Sequence, residues 1–391
     1  MGNPVSWFRD ERAALIRRRA LKAVLLIAIV SLALLAAVYF LANASPTTFN
    51  STSETGVTIA STTSVQSTAG GQVPVGVVYY LWYGNSSSET GGLGSPGWNS
   101  SSSPGGGAVV DEPAMGFYVS DSNSTFRRQV SEMESAGLTF AVVSWWGPST
   151  TGEAGAINKA TSDFFKFLRG TNSTFKAAVM IDAYGGGNFL NATTIEADYD
   201  YLFTHFVSPY SNWYFEWMGK PLLLTFNPVE PVSNDARFTS KEIGNYACKP
   251  VNTCPNHSLN QKLDWVWWQA PANFSEGQGG TDVNMTNDEG NPVISSDGEV
   301  TIVPRIDSYY NYESGHQSGY LRFDPSLQLG LYKYEWNYVL AHESEVRLVL
   351  IYSFNEFHER SAIEPVNTTS VVQNSLLDQT SSFIALFRGG Y

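Results

Sequence analysis

The sequence predicts an α/β protein, a (β/α)8 TIM-type barrel preceded by a transmembrane helix and a Ser/Thr-rich stalk. Two observations predict the barrel. Apolar runs rich in Val, Ile, Tyr and Trp recur along the chain, and they are continuous, as in parallel strands covered on both faces. Helical patterns separate several of these runs, and this alternation is typical of a barrel. A third observation, an uncharged segment near the N-terminus, predicts the membrane helix.

Seven strand candidates can be placed, and an eighth cannot. The candidates cover residues 75–83, 138–146, 175–184, 220–226, 263–269, 299–304 and 345–354. A doubly wound open sheet is the structural alternative. No Gly-rich dinucleotide fingerprint follows any of these strands, so an open sheet would lack the ligand that such sheets usually bind.

Three segments between the strands have a helical pattern. In residues 125–137, Phe126, Val130 and Met133 follow one another at spacings of four and three, and the segment ends in Gly137. A glycine at this position is a common stop signal for a helix. The other two predicted helices cover residues 156–170 and 326–343.

The N-terminus predicts a membrane anchor. Residues 23–42 carry no charge, and as a helix they would be about 30 Å long, enough to cross a bilayer. Residues 17–22 contain three Arg and one Lys, whereas the next basic residue is Arg127, so residues 1–22 are predicted to be cytoplasmic and the rest extracellular. The alternative is a cleaved signal peptide, with residues 42–44 as the cleavage site and a secreted product.

Composition divides the rest of the chain into a stalk and one domain. Residues 43–72 are rich in Ser and Thr and cannot bury enough apolar surface to fold alone. Residues 73–391 contain no second linker of this kind and are predicted to form a single barrel domain. The net charge is −13, with no basic cluster beyond the N-terminal segment, which excludes nucleic acid as an expected partner.

Sequons agree with export from the cell. Asn-x-Ser/Thr occurs at Asn43, Asn50, Asn85, Asn99, Asn123, Asn172, Asn191, Asn256, Asn273, Asn284 and Asn367. All of these sites follow the predicted membrane helix, and those from Asn85 onward lie in the predicted domain. They indicate a glycosylated extracellular surface.

The two cysteines, Cys248 and Cys254, lie six residues apart in a segment where Pro and Asn favour a turn. A disulfide closing this short loop is expected in an oxidising compartment. A zinc site is the alternative, but no paired histidines lie nearby, and no metal or other cofactor is expected.

The most highly charged short segment follows the last predicted strand. Glu356 and Glu359 are three residues apart, so a helical turn would place their side chains on one side. In retaining glycosidases, two carboxylates commonly lie about 5 to 5.5 Å apart, and one of them is protonated. The alternative is a solvated turn in which Glu359 pairs with Arg360 and His358 only packs against its neighbours.

Acids and aromatic rings also follow other predicted strands. Active sites of barrels lie at the C-terminal ends of the strands, where such side chains would form a carbohydrate cleft with hydroxyl hydrogen bonds and ring stacking. The candidates at these ends are Trp145, Trp146, Asp182, Tyr184, Asp307 and Tyr309. Each residue could also be an ordinary core or loop residue.

Four motifs resemble those of glycoside hydrolase family 99. They are YYLWYGN, PAMGFYVSDSN, AGLTFAVVSWWG and SFNEFHERSAIEP, at residues 79–85, 113–123, 136–147 and 353–365. Residues 219–227 and 330–340 also fit, so that the resemblance extends from about residue 76 to 366. It implies a (β/α)8 barrel and a retaining endo-acting α-mannosidase or α-mannanase that requires no metal.

The resemblance also implies a role for each motif residue. Glu356 would take the proton from the 2-hydroxyl of the sugar, which attacks the anomeric carbon, and Glu359 would be the general acid and then the general base. The remaining positions would bind the oligo- or polysaccharide substrate, and they are Tyr80, Tyr83, Trp145, Trp146, Asp182, Tyr184, Asp307, Tyr309, Asn355 and His358.

The chain departs from the family pattern at several positions. Phe357 stands where members usually have Trp, Arg360 where they have Gly, and Asp182 where they have Glu. Arg305 and Ile306 precede Asp307 in place of a Gly-Tyr pair. These changes leave both predicted catalytic acids in place, and mannose is the default sugar.

Two other function classes are open to a chain of this kind. A non-catalytic glycan-binding or cell-envelope protein could keep the barrel and its aromatic cleft, and an arginine next to Glu359 could lower the pKa of that acid. A glycosyltransferase is less consistent with the sequence, because it contains neither a nucleotide-phosphate loop nor an Asp-x-Asp triplet. The two retained acids favour an extracellular, membrane-anchored glycosidase.

Overall fold

A computed structural model describes most of the predicted domain. The described residues are 72–84, 98, 109–182, 191–226, 228, 232–248, 265–270, 279–283, 292–313, 319–324, 326–327, 330–367 and 376–389. The chain divides into two units, Met1–Thr68 and Ala69–Tyr391, and every described residue belongs to the second unit. The predicted cytoplasmic segment, membrane anchor and nearly all of the stalk lie outside the described residues. Within the described ranges, no helix is long and apolar enough to cross a bilayer.

Strands and helices alternate along the first part of the domain. The strands are β1 Val75–Tyr79, β2 Phe140–Trp145, β3 Lys176–Asp182, β4 Glu216–Trp217, β5 Lys220–Phe226, β6 Thr239–Cys248, β7 Trp265–Ala270, β8 Gly279–Val283, β9 Glu299–Ile302, β10 Ile306–Asp307, β11 Gly319–Phe323 and β12 Leu348–Ile351. The helices are α1 Asn123–Ser135, α2 Gly152–Arg169, α3 Ala192–Leu202, α4 Tyr309–Glu313, α5 Leu331–Ala341 and α6 Leu376–Phe387.

Eight parallel strands form the main sheet, in the order β7-β6-β5-β3-β2-β1-β12-β9. The two outermost strands, β7 and β9, contact each other, so the sheet curls back on itself as a barrel does. The short β4 pairs antiparallel with β5, and β8, β10 and β11 form a separate three-stranded sheet. This architecture fits the predicted α/β barrel.

The eighth strand, which the sequence did not reveal, is β6. Its sequence, TSKEIGNYAC, has few large apolar residues and therefore lacks the pattern of the other strands. Lys241 in this strand is 9% exposed, and its ammonium lies 3.3 Å from the fully buried carboxylate of Glu299 on β9 and also binds Asp297. A polar strand is stable here because its buried charge has partners.

The predicted helices are present with shifted ends. Helix α1 begins after Ser122, whose Oγ accepts a hydrogen bond from the Thr125 amide at 3.1 Å, and it buries Phe126, Val130 and Met133 as predicted. Helix α2 begins one turn earlier than predicted, at Gly152, and α5 begins later, at Leu331.

Strand β12 lies between β1 and β9 at the position where the candidate site forms. Val77 of β1 is in register with Ile351 of β12, and Ile351 is in register with Ile302 of β9. Because all three strands are parallel, their carboxyl ends meet at one edge of the sheet. Beyond that edge, the amide of Phe354 donates to the Val78 carbonyl at 2.8 Å, which extends the pairing of β12 with β1 into the following loop.

Candidate active site

The loop after β12 is fixed to β1 by the side chain of Asn355. Its Oδ1 accepts from the Tyr80 amide at 2.9 Å and its Nδ2 donates to the Tyr80 carbonyl at 2.8 Å. The side-chain amide of Asn355 therefore pairs with the backbone of Tyr80 as the backbone of an adjacent strand would. Nδ2 also donates to the Tyr118 hydroxyl at 3.1 Å. Asn355 is fully buried. It therefore positions the loop, and its expected contact with sugar stays a prediction.

Tyr83 holds the same loop from the other side. Its hydroxyl donates to the Asn355 carbonyl at 2.8 Å and accepts from the Phe357 amide at 3.0 Å, and its ring is fully buried. Phe357 is also fully buried, with its ring 5.8 Å from that of Tyr83 and 5.5 Å from that of Trp98. Both residues are core residues in this structure, and the substrate-binding role expected of Tyr83 stays a prediction.

The carboxylate of Glu356 accepts several hydrogen bonds from its own loop. Oε1 receives the amide of His358 at 2.8 Å and that of Glu359 at 3.3 Å, and His358 Nδ1 lies 3.2 Å from the same oxygen. The amide of Glu356 donates to Ser353 Oγ at 2.8 Å. Glu356 is 2% exposed. Donors converging on one buried oxygen suit a carboxylate, which can only accept when ionised.

Glu359 has a different environment, although it lies in the same turn. The hydroxyl of Tyr352 donates to its Oε2 at 2.6 Å. Burial raises the pKa of Glu359 to about 7, and the nearby charge of Glu356 adds to the rise, while the Tyr352 hydrogen bond and His358 oppose it. Burial also raises the pKa of Tyr352 well above its ordinary value, so this phenol stays a donor. Near neutral pH, Glu359 can thus carry a proton to donate.

The solvated-turn alternative does not fit this geometry. The guanidinium of Arg360 binds both oxygens of Asp111, at 2.9 and 3.1 Å, and Asp307 at 2.7 Å. Glu359 instead accepts from Tyr352. His358 is 4% exposed and contacts Glu356 through both its amide and its ring. The charged residues of this loop are divided between two separate clusters.

Two tryptophans that follow β1 and β2 form a partly exposed aromatic wall. Trp82 and Trp146 lie 5.6 Å apart in an edge-to-face contact, and Trp82 also stacks on Tyr80 at 4.3 Å. Both indole nitrogens are buried. Trp82 was not among the predicted site residues, although it lies within the same motif as Tyr80 and Tyr83.

Trp145 lies on the opposite face of β2 from this wall. It is fully buried, its ring stacks on Tyr201 at 5.8 Å, and its indole nitrogen donates to Asn158 on α2 at 3.0 Å. Its ring packs between the sheet and the outer helices. Its neighbour Trp146 is partly buried, and the expectation that these two residues line sugar subsites stays a prediction.

The acids at the ends of β3 and β10 are placed differently. Asp182 ends β3 and accepts from Ser144 Oγ at 3.1 Å, and its charge contributes to the raised pKa of Glu359. Asp307 ends β10, is 1% exposed and is bound by Arg360, with Arg322 Nε at 3.2 Å, and its expected contact with sugar stays a prediction.

The two predicted site tyrosines also differ. Tyr309 lies on α4, where its hydroxyl donates to Glu313 at 2.5 Å and Arg322 lies over its ring, 5.4 Å from the centroid. Tyr184 lies outside the described residues.

Glu153 is a further acid near the site that the sequence did not reveal. It lies in the first turn of α2, shortly after Trp146, and its Oε1 is buried without a hydrogen-bond partner among the described residues. Burial raises the pKa of Glu153 to about 7, and the charge of His358 lowers it. The sequence contained only a weak signal that Glu153 belongs to a functional site, because glutamate is common in the first turn of a helix, where it stabilises the helix.

The predicted surface modifications are partly within the described residues. The sequon asparagines Asn123, Asn172, Asn191 and Asn367 are exposed, as a glycan requires. The sequons at Asn43, Asn50, Asn85, Asn99, Asn256, Asn273 and Asn284 lie outside the described residues. Cys248 ends β6, and its expected disulfide partner Cys254 also lies outside them.

Within the described ranges, no group of three or more His, Cys, Asp or Glu side chains could hold a metal ion.

Comparison with known proteins places the fold. No family model and no curated protein sequence matches the chain. Among solved structures, the GH99 endo-alpha-mannosidase of Bacteroides thetaiotaomicron matches with a TM-score of 0.53 and 16% identity, over 81% of this chain and 97% of that chain. The chain has the fold of that protein.

Two further structures agree. The same endo-alpha-mannosidase matches with equal values in a structure whose description names no ligand, whereas the first contains bis-tris-propane. A glycoside hydrolase-like protein matches with a TM-score of 0.50 and 14% identity, over 81% of this chain and 94% of that chain. At these identities, the likeness to the three structures shows the fold alone.

Proposed function

We propose that the chain is a retaining endo-glycosidase that hydrolyses α-mannoside-like glycans, with Glu356 and Glu359 as its catalytic acids. The observation that carries this proposal is the contrast between the two carboxyls. Glu356 receives three donors on one oxygen, whereas Glu359 is held by a single phenol and has a pKa raised to about 7. A carboxyl that can hold a proton near neutral pH, beside a second carboxyl that accepts hydrogen bonds, suits glycoside hydrolysis.

The first step of the proposed reaction breaks the glycosidic bond. Protonated Glu359 donates its proton to the leaving oxygen, while ionised Glu356 takes the proton of the sugar 2-hydroxyl. That oxygen forms a bond to the anomeric carbon and gives a 1,2-anhydro sugar. The aromatic wall of Trp82 and Trp146 would hold the sugar by ring stacking.

The second step restores both acids. Water attacks the anomeric carbon, and Glu359 now accepts a proton from that water. The bond between the anomeric carbon and the bridging oxygen of the 1,2-anhydro ring breaks, and that oxygen becomes the 2-hydroxyl again with the proton held by Glu356. Each step inverts the anomeric carbon, so the net result is retention. The raised pKa of Glu359 suits both of its roles, because a pKa near the working pH favours donation as well as acceptance.

The structures of similar fold support this choice of reaction class. The two Bacteroides structures are described as an endo-alpha-mannosidase, and the third as a glycoside hydrolase-like protein. The departure at Phe357 is compatible with activity, since its ring is buried and packs on Tyr83 and Trp98.

Surface anchoring is part of the same proposal. The uncharged residues 23–42 and the basic residues before them support a single membrane pass with the barrel outside the cell. Fractionation of cells that express the full chain, followed by protease treatment of intact cells, tests this. Barrel fragments that remain protected from protease until lysis would rule out an extracellular domain.

The decisive experiment offers α-mannans and surface glycans of the source cell to the purified full chain. Glu356→Gln and Glu359→Gln are each expected to lower the rate of oligosaccharide release by about a hundredfold or more. Glu216→Gln, a change at an exposed residue of β4, is the matched control and should keep the wild-type rate. NMR of the first product should show the α-anomer.

Two results would reject the enzymatic proposal. Release that is equally fast in the wild type and both Gln variants would show that these acids are not catalytic. Absence of release, together with equal glycan binding by all proteins, would favour the non-catalytic glycan-binding alternative.

A further inference from the structure

Two arginines and two aspartates form a buried cluster directly beside the proposed catalytic turn. We call Asp111, Arg305, Asp307 and Arg360 the Asp111 cluster. Arg360 grips both oxygens of Asp111, at 2.9 and 3.1 Å, and reaches Asp307 at 2.7 Å. Arg305 binds Asp111 as well. A guanidinium that contacts two carboxylates has little freedom to move.

The Asp111 cluster also holds the backbone of the catalytic turn. Arg305 Nε donates to the carbonyl of Arg360 at 2.6 Å, and the amide of Asp307 donates to the carbonyl of Glu359 at 2.7 Å. The carbonyls of two successive residues are therefore fixed from β10 and the segment before it. The Cα of Glu359 lies between these fixed groups and the hydrogen bonds of the Glu356 carboxylate.

The backbone of Arg360 adopts a conformation that favours glycine. Its φ is +54°, in the left-handed region. A residue with a side chain is strained there, so a larger residue is stable only when its contacts compensate. This side chain makes ion pairs with Asp111 and Asp307 and lies over the ring of Tyr310, 5.8 Å from its centroid.

The cluster is too buried to be an ordinary surface salt bridge. The side chains of Arg305, Asp111 and Asp307 are 2%, 6% and 1% exposed, and that of Arg360 is 13% exposed. Two positive charges offset two negative charges, and Arg322 adds a further contact to Asp307. Removing one member would leave a partner charged and buried, so the cluster acts as a unit.

We infer that the Asp111 cluster positions Glu359 for the proposed reaction, with Arg360 and Asp111 as its positioning residues. This inference depends on the proposed function. No member of the cluster contacts the Glu359 carboxyl in the described hydrogen bonds; they act through the backbone of the turn. A carboxyl that must face a glycosidic oxygen within a few tenths of an ångström loses rate when its backbone moves.

Arg360→Gly is the first test, because glycine accepts the left-handed backbone and removes only the side chain. We expect kcat to fall about tenfold to a hundredfold with KM changed less than about twofold. Asp111→Asn removes the shared charge while keeping the shape, and it should have a similar effect. Arg360→Lys, which keeps one charge but cannot grip two carboxylates, should recover part of the rate.

The pH profile separates positioning from a loss of folded protein. Glu359 faces Glu356, Tyr352, His358 and Asp182. When the turn loosens, water reaches Glu359 and its pKa falls from about 7 towards the ordinary value, so the alkaline limb of kcat moves to lower pH. A smaller folded fraction would scale the whole profile without moving that limb.

The double variant and a matched arginine complete the design. Arg360→Gly combined with Asp111→Asn should cost no more than the worse single variant, because both remove one interaction. Arg237 also binds two aspartates, Asp235 and Asp200, away from the site, and Arg237→Gly should leave kcat and the pH profile unchanged.

The outcomes distinguish this inference from the proposed function. If Glu359→Gln is inactive but Arg360→Gly and Asp111→Asn keep both the wild-type kcat and the wild-type alkaline limb, the inference is wrong and the proposed function stands. If Glu359→Gln keeps the wild-type rate, the proposed function fails first. A proportional loss of kcat with an unmoved limb would assign the cluster to stability alone.

Discussion

Tyr352→Phe is expected to extend activity to higher pH. The Tyr352 hydroxyl donates to Glu359 Oε2 at 2.6 Å, and this hydrogen bond lowers the pKa of Glu359 against the effects of burial and of Glu356. Phenylalanine keeps the aromatic ring and removes only the hydroxyl that donates to Glu359. Because Glu359 acts in its protonated form, activity is present below its pKa and is lost as pH rises through it. A higher pKa therefore moves the alkaline limb upward.

The size of this effect follows from the strength of the lost interaction. A hydrogen bond to a charged group contributes about 1.5 to 3 kcal/mol, and about 1.4 kcal/mol corresponds to one pH unit. The neutral acid keeps part of the interaction, so a move of about one pH unit is expected. The alkaline limb should then lie near pH 8 instead of near pH 7, with a plateau rate within about threefold of the wild type.

The assay measures kcat for oligosaccharide release between about pH 5 and 9.5, since kcat reports the ionisations of the enzyme–substrate complex. Tyr332→Phe is the matched control: Tyr332 is also buried, but its hydroxyl contacts Thr380 on α6 at 2.6 Å, and the change should leave the limb in place. An alkaline limb that stays within about 0.3 pH unit in Tyr352→Phe, or moves to lower pH, would refute the assignment of Glu359 as the acid.

Three further predictions concern other residues of the barrel. Trp146→Ala should raise KM about tenfold through lost stacking, whereas Trp145→Ala should destabilise the fold by about 3 to 5 kcal/mol in urea unfolding and leave the KM of the folded protein unchanged. Burial raises the pKa of Glu364 to about 8, so folding takes up a proton and stability falls as pH rises from about 4.5 to 8; Glu364→Gln should flatten this slope in melts at several pH values. Lys241→Met should cost about 3 to 5 kcal/mol because Glu299 stays buried without its cation, and adding Glu299→Gln should recover part of the loss.

The hydrophobic pattern of the sequence located most of the parallel strands of the barrel, but it did not locate the polar strand β6. Continuous apolar runs identified seven of the eight parallel strands, because both faces of those strands are covered. Strand β6 was missed, because Lys241 pairs with the buried carboxylate of Glu299 and with Asp297 and so needs no apolar replacement. A local sequence pattern cannot predict ion-pair partners that are distant in the chain, and Asp297 and Glu299 lie more than fifty residues from Lys241.

The pair Trp145 and Trp146 shows a second limit. Alternation along a strand predicts that two successive side chains lie on opposite faces. It does not predict which one faces the cleft. The packing of α2 and α3 against the sheet decides this, and it buries Trp145 against Asn158 and Tyr201.

The sequence by itself determined the order of the strands along the chain, the position of the charged loop after the last strand, and the spacing of Glu356 and Glu359. These properties depend on residues close together in the chain, so pattern and spacing are sufficient. Only the tertiary structure decided how the charges pair. The left-handed backbone at Arg360 turns its side chain towards Asp111, which is distant in sequence, and Tyr352 is left to bind Glu359. Charge pairing depends on distances in space, and folding sets those distances after local pattern has been satisfied.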